Sequence, residues 1–226
     1  MNLKNLHRTF LLLFSVLLFS CGEYHKVLKS NDLGLQYKTA EELYNKQDYA
    51  RAEKIFEKIL PNYIGKPQGE RLLYMYADCF YQRQKYLLAA EQFERMVKNY
   101  PKSEKAPEAV FLVGKSYFME TPKYSLDQSE TYRALDKLQD FIDRYPNSLY
   151  LREANNMVLE LVNKLQYKSL EIAIGYDKIR DYQAALKSLD NFLIENPGSV
   201  FKEKAMYYKL HSAYELAANS VASKEK

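Results

Sequence analysis

A frame of small and large apolar residues recurs four times along this chain. In each copy an alanine is followed four places later by a large apolar residue, and in three copies a proline closes the frame. The copies are Ala52-x3-Phe56, Ala89-x3-Phe93-x7-Pro101, Ala134-x3-Leu138-x7-Pro146 and Ala185-x3-Leu189-x7-Pro197. Antiparallel helices approach closely only where one side chain is small, and the large residue one turn on fills the space beside the crossing. Proline lacks an N–H group and crowds the preceding turn, so it ends the helix. The frame therefore predicts pairs of antiparallel helices.

A second small residue precedes each frame and marks the first helix of the pair, here named helix A; the frame itself lies on helix B. Ala40, Ala77 and Ala173 lie twelve places before the alanine of their own frame, whereas Gly114 lies twenty places before it. This difference predicts an insertion of eight residues around Thr121 to Gln128. In the first copy Pro61 lies three places earlier than the other prolines.

These helix pairs resemble the tetratricopeptide repeat, whose units stack because one pair alone cannot bury its apolar side. The resemblance implies an all-α fold, a tetratricopeptide-repeat superhelix (α-solenoid) over residues 32–226, with about four full repeats and a partial fifth. Helix A of repeat four is expected to be long, from about Leu149 to Tyr176. Gly65 to Gly69 is expected to be a loop. An unrelated helical bundle is the alternative.

The fifth unit begins at Lys202, and its Ala213 takes the place that Gly114 has in repeat three. Too few residues follow for its helix B. The chain is therefore expected either to be truncated after the first helix of the fifth repeat or to end in a capping helix from Phe201 to Ala218.

The first residues have the pattern of a secretory signal. A basic start, which includes Lys4 and Arg8, precedes a largely apolar run of ten residues, Phe10 to Phe19, that is too short to cross a membrane as a helix. The run ends in Leu18-Phe19-Ser20-Cys21-Gly22, which resembles the lipobox of bacterial lipoproteins. The resemblance implies a signal peptide over residues 1–20, lipidation of Cys21 with acyl chains such as palmitate, and a polar tether over residues 21–31.

Acyl chains on Cys21 would anchor the protein, since each buried methylene contributes about 0.8 kcal/mol. Glu23 is not the aspartate that is associated with retention in the inner membrane, so the outer membrane is favoured. The alternative is an ordinary signal peptide that is cut nearby, with Cys21 incidental.

Composition and motifs argue against catalysis and nucleic-acid binding. The net charge of +4 is too small for the basic footprint of a nucleic-acid binder. No HExxH, paired CxxC, G-x-S-x-G or P-loop motif occurs. Two cysteines do not make a disulfide framework, and Cys79 is expected to be a small core residue. We therefore expect no enzyme, metal site, cofactor or small-molecule substrate.

A further stripe on the A helices predicts a groove that binds peptides. The positions three before, one after and four after the small residue share one helix face. They hold Tyr37, Glu41 and Tyr44 in repeat one, Tyr74, Asp78 and Tyr81 in repeat two, and Phe111, Lys115 and Phe118 in repeat three. Each charge is thus flanked by two aromatic residues. Other residues already serve the packing between helices, which leaves this stripe on the concave side. The alternative is that these rings pack against one another.

The order of motifs in the second half resembles the BamD family, the lipoprotein subunit of the outer-membrane β-barrel assembly machinery. The motifs are Asp127-Gln128, Tyr145-Pro146-Asn147-Ser148, Lys164-Leu165-Gln166-Tyr167 with Glu171, and Asp181-Tyr182-Gln183-Ala184-Ala185. The resemblance implies a scaffold at the outer membrane that is lipid-anchored and faces the periplasm. Its N-terminal repeats would bind unfolded outer-membrane proteins, and its C-terminal repeats would bind the POTRA domains of the barrel subunit BamA.

Two other classes of lipoprotein fit part of the pattern. A periplasmic tetratricopeptide lipoprotein such as a secretin or pilus pilotin would share the repeats and the anchor. A glycan-binding SusD-like lipoprotein is helical as well, but such proteins are much longer and rich in tryptophan, which this chain lacks.

Overall fold

The structure, a computed structural model, describes residues 23–222. The helices are α1 (Leu33–Asn45), α2 (Tyr49–Tyr63), α3 (Pro67–Gln82), α4 (Tyr86–Asn99), α5 (Ala106–Met119), α6 (Ser129–Arg144), α7 (Leu151–Lys178), α8 (Tyr182–Glu195) and α9 (Lys202–Ala222). Residues 23–29 are helical too, and residues 23–222 contain no strand, which confirms the all-α prediction. Within this range no helix combines the length and the apolar character needed to cross a membrane.

The helices form two compact units, with the boundary between Val113 and Gly114. In the first unit α1 packs on α2, α2 on α3 and α3 on α4. In the second unit α6 packs on α7, α7 on α8, and α8 on α9, which also contacts α7. Sequential packing of helix pairs is the arrangement of a tetratricopeptide-repeat α-solenoid.

Burial confirms the predicted register of the repeats. The frame residues of all four copies are fully buried: Ala52, Phe56, Ala89, Phe93, Ala134, Leu138, Ala185 and Leu189. In the second unit a Cβ atom added to Gly114 would lie only 2.8 Å from Cδ2 of Leu138. The large frame residue therefore occupies the space that the absent side chain of Gly114 leaves open.

The turns from helix A to helix B repeat as well. Gln47, Gln84 and Arg180 each adopt a left-handed backbone conformation, with φ of 61°, 59° and 65°. Around Gln47 the N–H of Asp48 donates to the carbonyl of Leu43 at 2.9 Å, which is the six-residue bond of a Schellman motif. The N–H of Gln47 itself donates to the carbonyl of Tyr44, which is the second bond of the motif. The corresponding two bonds are present at the ends of α3 and α7. Repeats one, two and four thus share one turn geometry.

Proline ends helix B in three repeats but not in the first. Tyr100, Tyr145 and Asn196, each directly before a proline, leave the helical conformation with ψ near 60°. Pro61 instead lies inside α2. This agrees with the absence of a closing proline from the first frame: α2 continues past Pro61 to Tyr63, where the N–H of Ile64 donates to the carbonyl of Leu60 at 3.1 Å.

Both predicted irregularities of the second unit are present. Residues 120–128 separate α5 from α6, and α7 runs for 28 residues, two places later at each end than expected. Gln128 organises the insertion: its Nε2 donates to the carbonyls of Lys123 (2.9 Å) and Leu126 (3.0 Å). Its Oε1 accepts a bond from the hydroxyl of Thr131 at 2.8 Å. The buried amide therefore fixes the path of the inserted chain.

The loop predicted from Gly65 to Gly69 is shorter than expected. Gly65 has a φ of 82°, but Pro67 already begins α3, where a missing N–H costs nothing. Gly69 lies in the first turn of α3, and a side chain there would collide with the carbonyl of Tyr63 and the hydroxyl of Tyr100. Close packing rather than turn geometry requires this second glycine.

The described part of the predicted tether is an ordered helix that contacts repeat one. The fully buried Gln36 donates from Nε2 to the carbonyls of Val27 (3.0 Å) and Ser30 (2.9 Å). Lys58 donates to the carbonyls of Leu28 (2.7 Å) and Ser30 (2.9 Å). Sequence analysis missed this contact because both donors lie outside the segment itself.

The start of the fifth unit is helical, as expected, but Ala213 is exposed. The buried small residues of α9 are instead Ala205 and Ser212, which face α7 and α8. The correspondence of Ala213 with Gly114 is therefore wrong: no helix of the described second unit crosses α9 at that position.

Candidate functional site

The predicted stripe places six residues on two neighbouring helices of the first unit. Tyr37, Glu41 and Tyr44 lie on α1, and Tyr74, Asp78 and Tyr81 lie on α3. We refer to these six residues as the tyrosine stripe. Its four rings are half-buried, so each presents part of its surface. The carboxylate between each pair of rings, Glu41 or Asp78, forms an ion pair or a hydrogen bond with another residue.

Asp78 links the first two repeats. The Tyr44 hydroxyl donates to Oδ2 of Asp78 at 2.5 Å, and Nε2 of Gln82 donates to Oδ1 at 3.0 Å. Asp78 is only 8% exposed, so its carboxylate depends on these donors. Burial and the bond to Asp78 raise the pKa of Tyr44, which therefore remains a donor at neutral pH.

The same kind of bond continues along the first unit. The Tyr74 hydroxyl donates to Oε1 of Glu108 at 2.8 Å, again to a carboxylate 34 residues later. Burial and this bond raise the pKa of Tyr74. Glu41 forms an ion pair with Arg71 on the next A helix. The polar atoms of the stripe therefore connect successive A helices.

One edge of each ring of the stripe rests on its own repeat. Tyr37 contacts Tyr63, Tyr44 contacts Phe56, Tyr74 contacts Phe93 and Tyr81 contacts Tyr86, with ring centroids 5.4–6.5 Å apart. Such tilted and edge-on contacts are the favoured arrangements of aromatic pairs. The four partner rings lie outside the stripe, so these contacts are not the packing of stripe rings against one another that the alternative describes. The remaining surface is held in a defined orientation.

The third repeat contributes less than the sequence indicates. Phe111 is only 1% exposed, so its ring belongs to the core and does not present a binding surface; this part of the prediction is wrong. In the second unit Lys115 donates to Oε1 of Glu153 at 2.8 Å, and Phe118 is half-buried. Helical spacing places all three residues near one face but does not show how deeply each one is covered.

Asp177 is a buried carboxylate with two hydrogen-bond partners, and the sequence analysis did not predict this arrangement. It lies on α7, is buried, and accepts bonds from Ser212 Oγ (2.6 Å) and His211 Nδ1 (2.9 Å) on α9. The bond to the carboxylate raises the pKa of His211. Because Ser212 bonds to the aspartate rather than to the imidazole, the three residues form a tie between helices, not a nucleophile with its base.

The described cysteine and the His, Asp and Glu side chains show no arrangement typical of a reactive thiol or a metal site. Cys79 is fully buried, as predicted, and burial raises the pKa of its thiol, which disfavours the reactive thiolate. Across residues 23–222 no group of three or more His, Cys, Asp or Glu side chains is placed to hold a metal ion. Cys21, the predicted lipidation site, lies outside the described residues.

Comparisons with known proteins point to one family. A family model described as "YfiO: Outer membrane lipoprotein" matches residues 31–226. A curated protein of Rickettsia prowazekii (strain Madrid E), named "Outer membrane protein assembly factor BamD", is 24% identical over 173 residues, which cover 76% of this chain and 68% of that protein.

The bond between Tyr44 and Asp78 gives a first prediction. Tyr44→Phe removes the hydroxyl and leaves a nearly buried carboxylate with one donor fewer, so we expect a loss of about 1–3 kcal/mol in the free energy of unfolding, measured by urea denaturation. Tyr86→Phe is the matched control, because the Tyr86 hydroxyl has no hydrogen bond in the described part of the chain. Equal stability of the two variants would contradict the proposed tie.

Proposed function

Because this chain belongs to the family of YfiO outer membrane lipoproteins, we propose that it is the lipid-anchored scaffold of a machinery that assembles β-barrel proteins in the outer membrane. Its proposed role is to bind unfolded barrel proteins and the barrel subunit of the machinery, so that folding and insertion occur at one place. The observation that carries this proposal is the family match over most of the chain, together with a fold built from stacked helix pairs. We propose no catalytic step.

The tyrosine stripe is the proposed surface for unfolded clients. Its rings are oriented before binding, by an aromatic contact on one edge and, for Tyr44 and Tyr74, by a hydroxyl bond to a carboxylate. Aromatic residues held in this way bind with a small loss of side-chain entropy. Because Glu41 and Asp78 are already paired, the exposed ring surfaces would do most of the binding. An extended segment rich in aromatic residues is the chemistry that fits.

Helix α9 provides the proposed surface for the barrel subunit. Tyr207, Leu210 and Tyr214 follow the spacing of one helix face and are 63%, 71% and 68% exposed. The opposite face, which includes Ala205 and Ser212, is buried against the rest of the second unit. Contiguous apolar side chains on a surface mark protein-binding sites more often than chance. We propose that a periplasmic POTRA domain covers this face.

The anchor is the third proposed element. We propose that Cys21 is lipidated and becomes the first residue of the mature protein. Two residues later begins the helical segment 23–29, which Gln36 and Lys58 hold against repeat one. A lipid on Cys21 would therefore hold repeat one close to the membrane surface, without a long flexible linker.

The client surface is tested by removing two rings. We expect Tyr74→Ala with Tyr81→Ala to weaken binding of an aromatic-rich peptide from the end of a barrel protein by more than about 1 kcal/mol, because a few aromatic anchors supply most interface energy. Fluorescence anisotropy with a labelled peptide measures the affinity. Tyr74→Phe with Tyr81→Phe keeps both rings and should retain most of the binding.

Circular dichroism of the same variants separates binding from folding. Normal peptide affinity of the folded alanine variant would show that the stripe is not the client site. Unfolding of the alanine variant would instead assign both rings to the core, and the phenylalanine pair would then test the hydroxyl bonds alone.

The docking surface on α9 is tested by introducing a charge. Leu210→Glu places a carboxylate in the centre of the exposed apolar face, and a desolvated, unpaired charge strongly disfavours association. We expect at least about a tenfold reduction in the barrel subunit captured from detergent-solubilised envelopes. Ile194→Glu, at an exposed position of α8, is the matched control and should capture the subunit normally. Undiminished capture by the α9 variant would place the docking surface elsewhere.

The anchor is tested by membrane fractionation. Without its thiol, a Cys21→Ser chain cannot receive a lipid, so we expect it either in the soluble periplasmic fraction or unprocessed. Cys79→Ala removes the other, buried cysteine and should remain with the outer membrane. Outer-membrane fractionation of the Cys21 variant that matches the unaltered protein would refute lipidation as the anchor.

A further inference from the structure

The second unit contains a cavity that neither the tyrosine stripe nor α9 includes. It is an open depression with a volume of about 370 Å³, and it lies between the insertion at residues 120–128, helix α7 and Phe201, which precedes α9. Its lining consists of Lys123, Tyr124, Ser125, Glu160, Asn163, Lys164, Tyr167 and Phe201. Ligand pockets in proteins span about 300–1,000 Å³, so this cavity is suited to a single large side chain.

Three aromatic rings form the apolar part of the cavity. Tyr167 lies in the middle, with its ring centroid 4.7 Å from that of Tyr124 and 5.3 Å from that of Phe201. The ring of Tyr167 is inclined by 77° to that of Tyr124 and by 49° to that of Phe201, so the three rings form an aromatic corner. Such a corner can make edge-to-face contacts with another aromatic ring.

The cavity exists because the insertion is held in a fixed position. Lys164 Nζ donates to Thr121 Oγ1 at 2.7 Å, and Lys168 donates to the carbonyl of Leu126. The buried amide of Gln128 holds the same loop from within. The motif residues Lys164 and Tyr167 thus have a definite place: one fastens the insertion, and the other forms the centre of the aromatic corner.

The charges around the cavity favour an anionic occupant. Lys204, beside Tyr167, is already neutralised by Glu171 at 2.7 Å. Lys164 donates to the neutral hydroxyl of Thr121; burial lowers its pKa, and the negative charge of Glu160 opposes that shift. Lys123 forms no salt bridge with any residue of the described chain. Glu160, one turn before Lys164 on α7, is the one carboxylate in the described lining. Two ammonium groups therefore face the cavity with a single carboxylate to balance them.

We propose that this cavity binds an aromatic side chain of a protein partner, while Lys123 and Lys164 bind a carboxylate next to it in the partner's sequence. The rings supply apolar contact, and the two lysines select for the neighbouring acid. This inference rests on the proposed function only in that the chain acts by binding other proteins. Its lining shares no residue with the surfaces assigned above to clients and to the barrel subunit.

Short defined peptides test the proposal with the purified full-length protein in detergent. The probes are fluorescein-labelled Gly-Asp-Phe-Gly, Gly-Asn-Phe-Gly and Gly-Asp-Ala-Gly, and anisotropy gives each dissociation constant. We expect the Asp-Phe probe to bind at least about fivefold more tightly than the other two, because only this probe has both recognition groups. Lys123→Met keeps the length of the side chain, removes its charge and leaves the bond of Lys164 to Thr121 in place, so it should reduce the preference for Asp over Asn.

Two further variants separate the contribution of the aromatic rings from a general effect of surface charge. Lys187→Met removes an exposed charge on α8 and should leave all three affinities unchanged. Tyr167→Leu should weaken both Phe-containing probes equally. Equal affinities of the three probes, or an unchanged Asp preference in Lys123→Met, would overturn the proposal. If the proposed function is wrong, the unaltered protein will not capture the barrel subunit, whatever the peptide affinities are.

Discussion

The close crossing of helices A and B is the constraint on which the rest of this structure depends. At each crossing a fully buried alanine or glycine lets two backbones approach, and the large residue one turn later fills the adjacent space. A larger residue at Ala89 or Gly114 would separate the helices and displace everything stacked on them. The frame residues at the crossings are all apolar, so the polar bonds that connect one repeat to the next lie outside the crossings.

The faces outside the crossings are used first for contacts between repeats. Hydroxyl–carboxylate bonds join Tyr44 to Asp78 and Tyr74 to Glu108, and in the second unit Ser212 and His211 bond to Asp177. Each bond spans 34 or 35 residues, about one repeat. A bond of this kind requires a carboxylate that is partly removed from water, so its loss costs more than that of an exposed ion pair. The tyrosine stripe of the first unit is therefore part of what holds its repeats in register.

Sequence alone predicts the parts of this fold that depend on local spacing. The frames around Ala52 and Ala185, the insertion and the long α7 all follow from counting residues, and the structure confirms them. The depth of a side chain depends on how one repeat is rotated against the next, which helical periodicity does not contain. For that reason Phe111 was assigned to a surface although it is buried, and the contacts that hold residues 23–29 on repeat one were not foreseen.

Departures from the regular repeat create the aromatic cavity of the second unit. A regular helix pair offers the same crossing and the same turn in each copy, as the shared conformations of Gln47, Gln84 and Arg180 show. The inserted loop and the long α7 break that regularity, and between them lies a cavity whose rings come from three separate segments. Its shape tolerates little change, because Gln128, Lys164 and Lys168 each fix the loop through a different hydrogen bond. A loop that served only to connect helices would not need three such bonds. The three bonds therefore give the inserted chain a fixed position beside Tyr167.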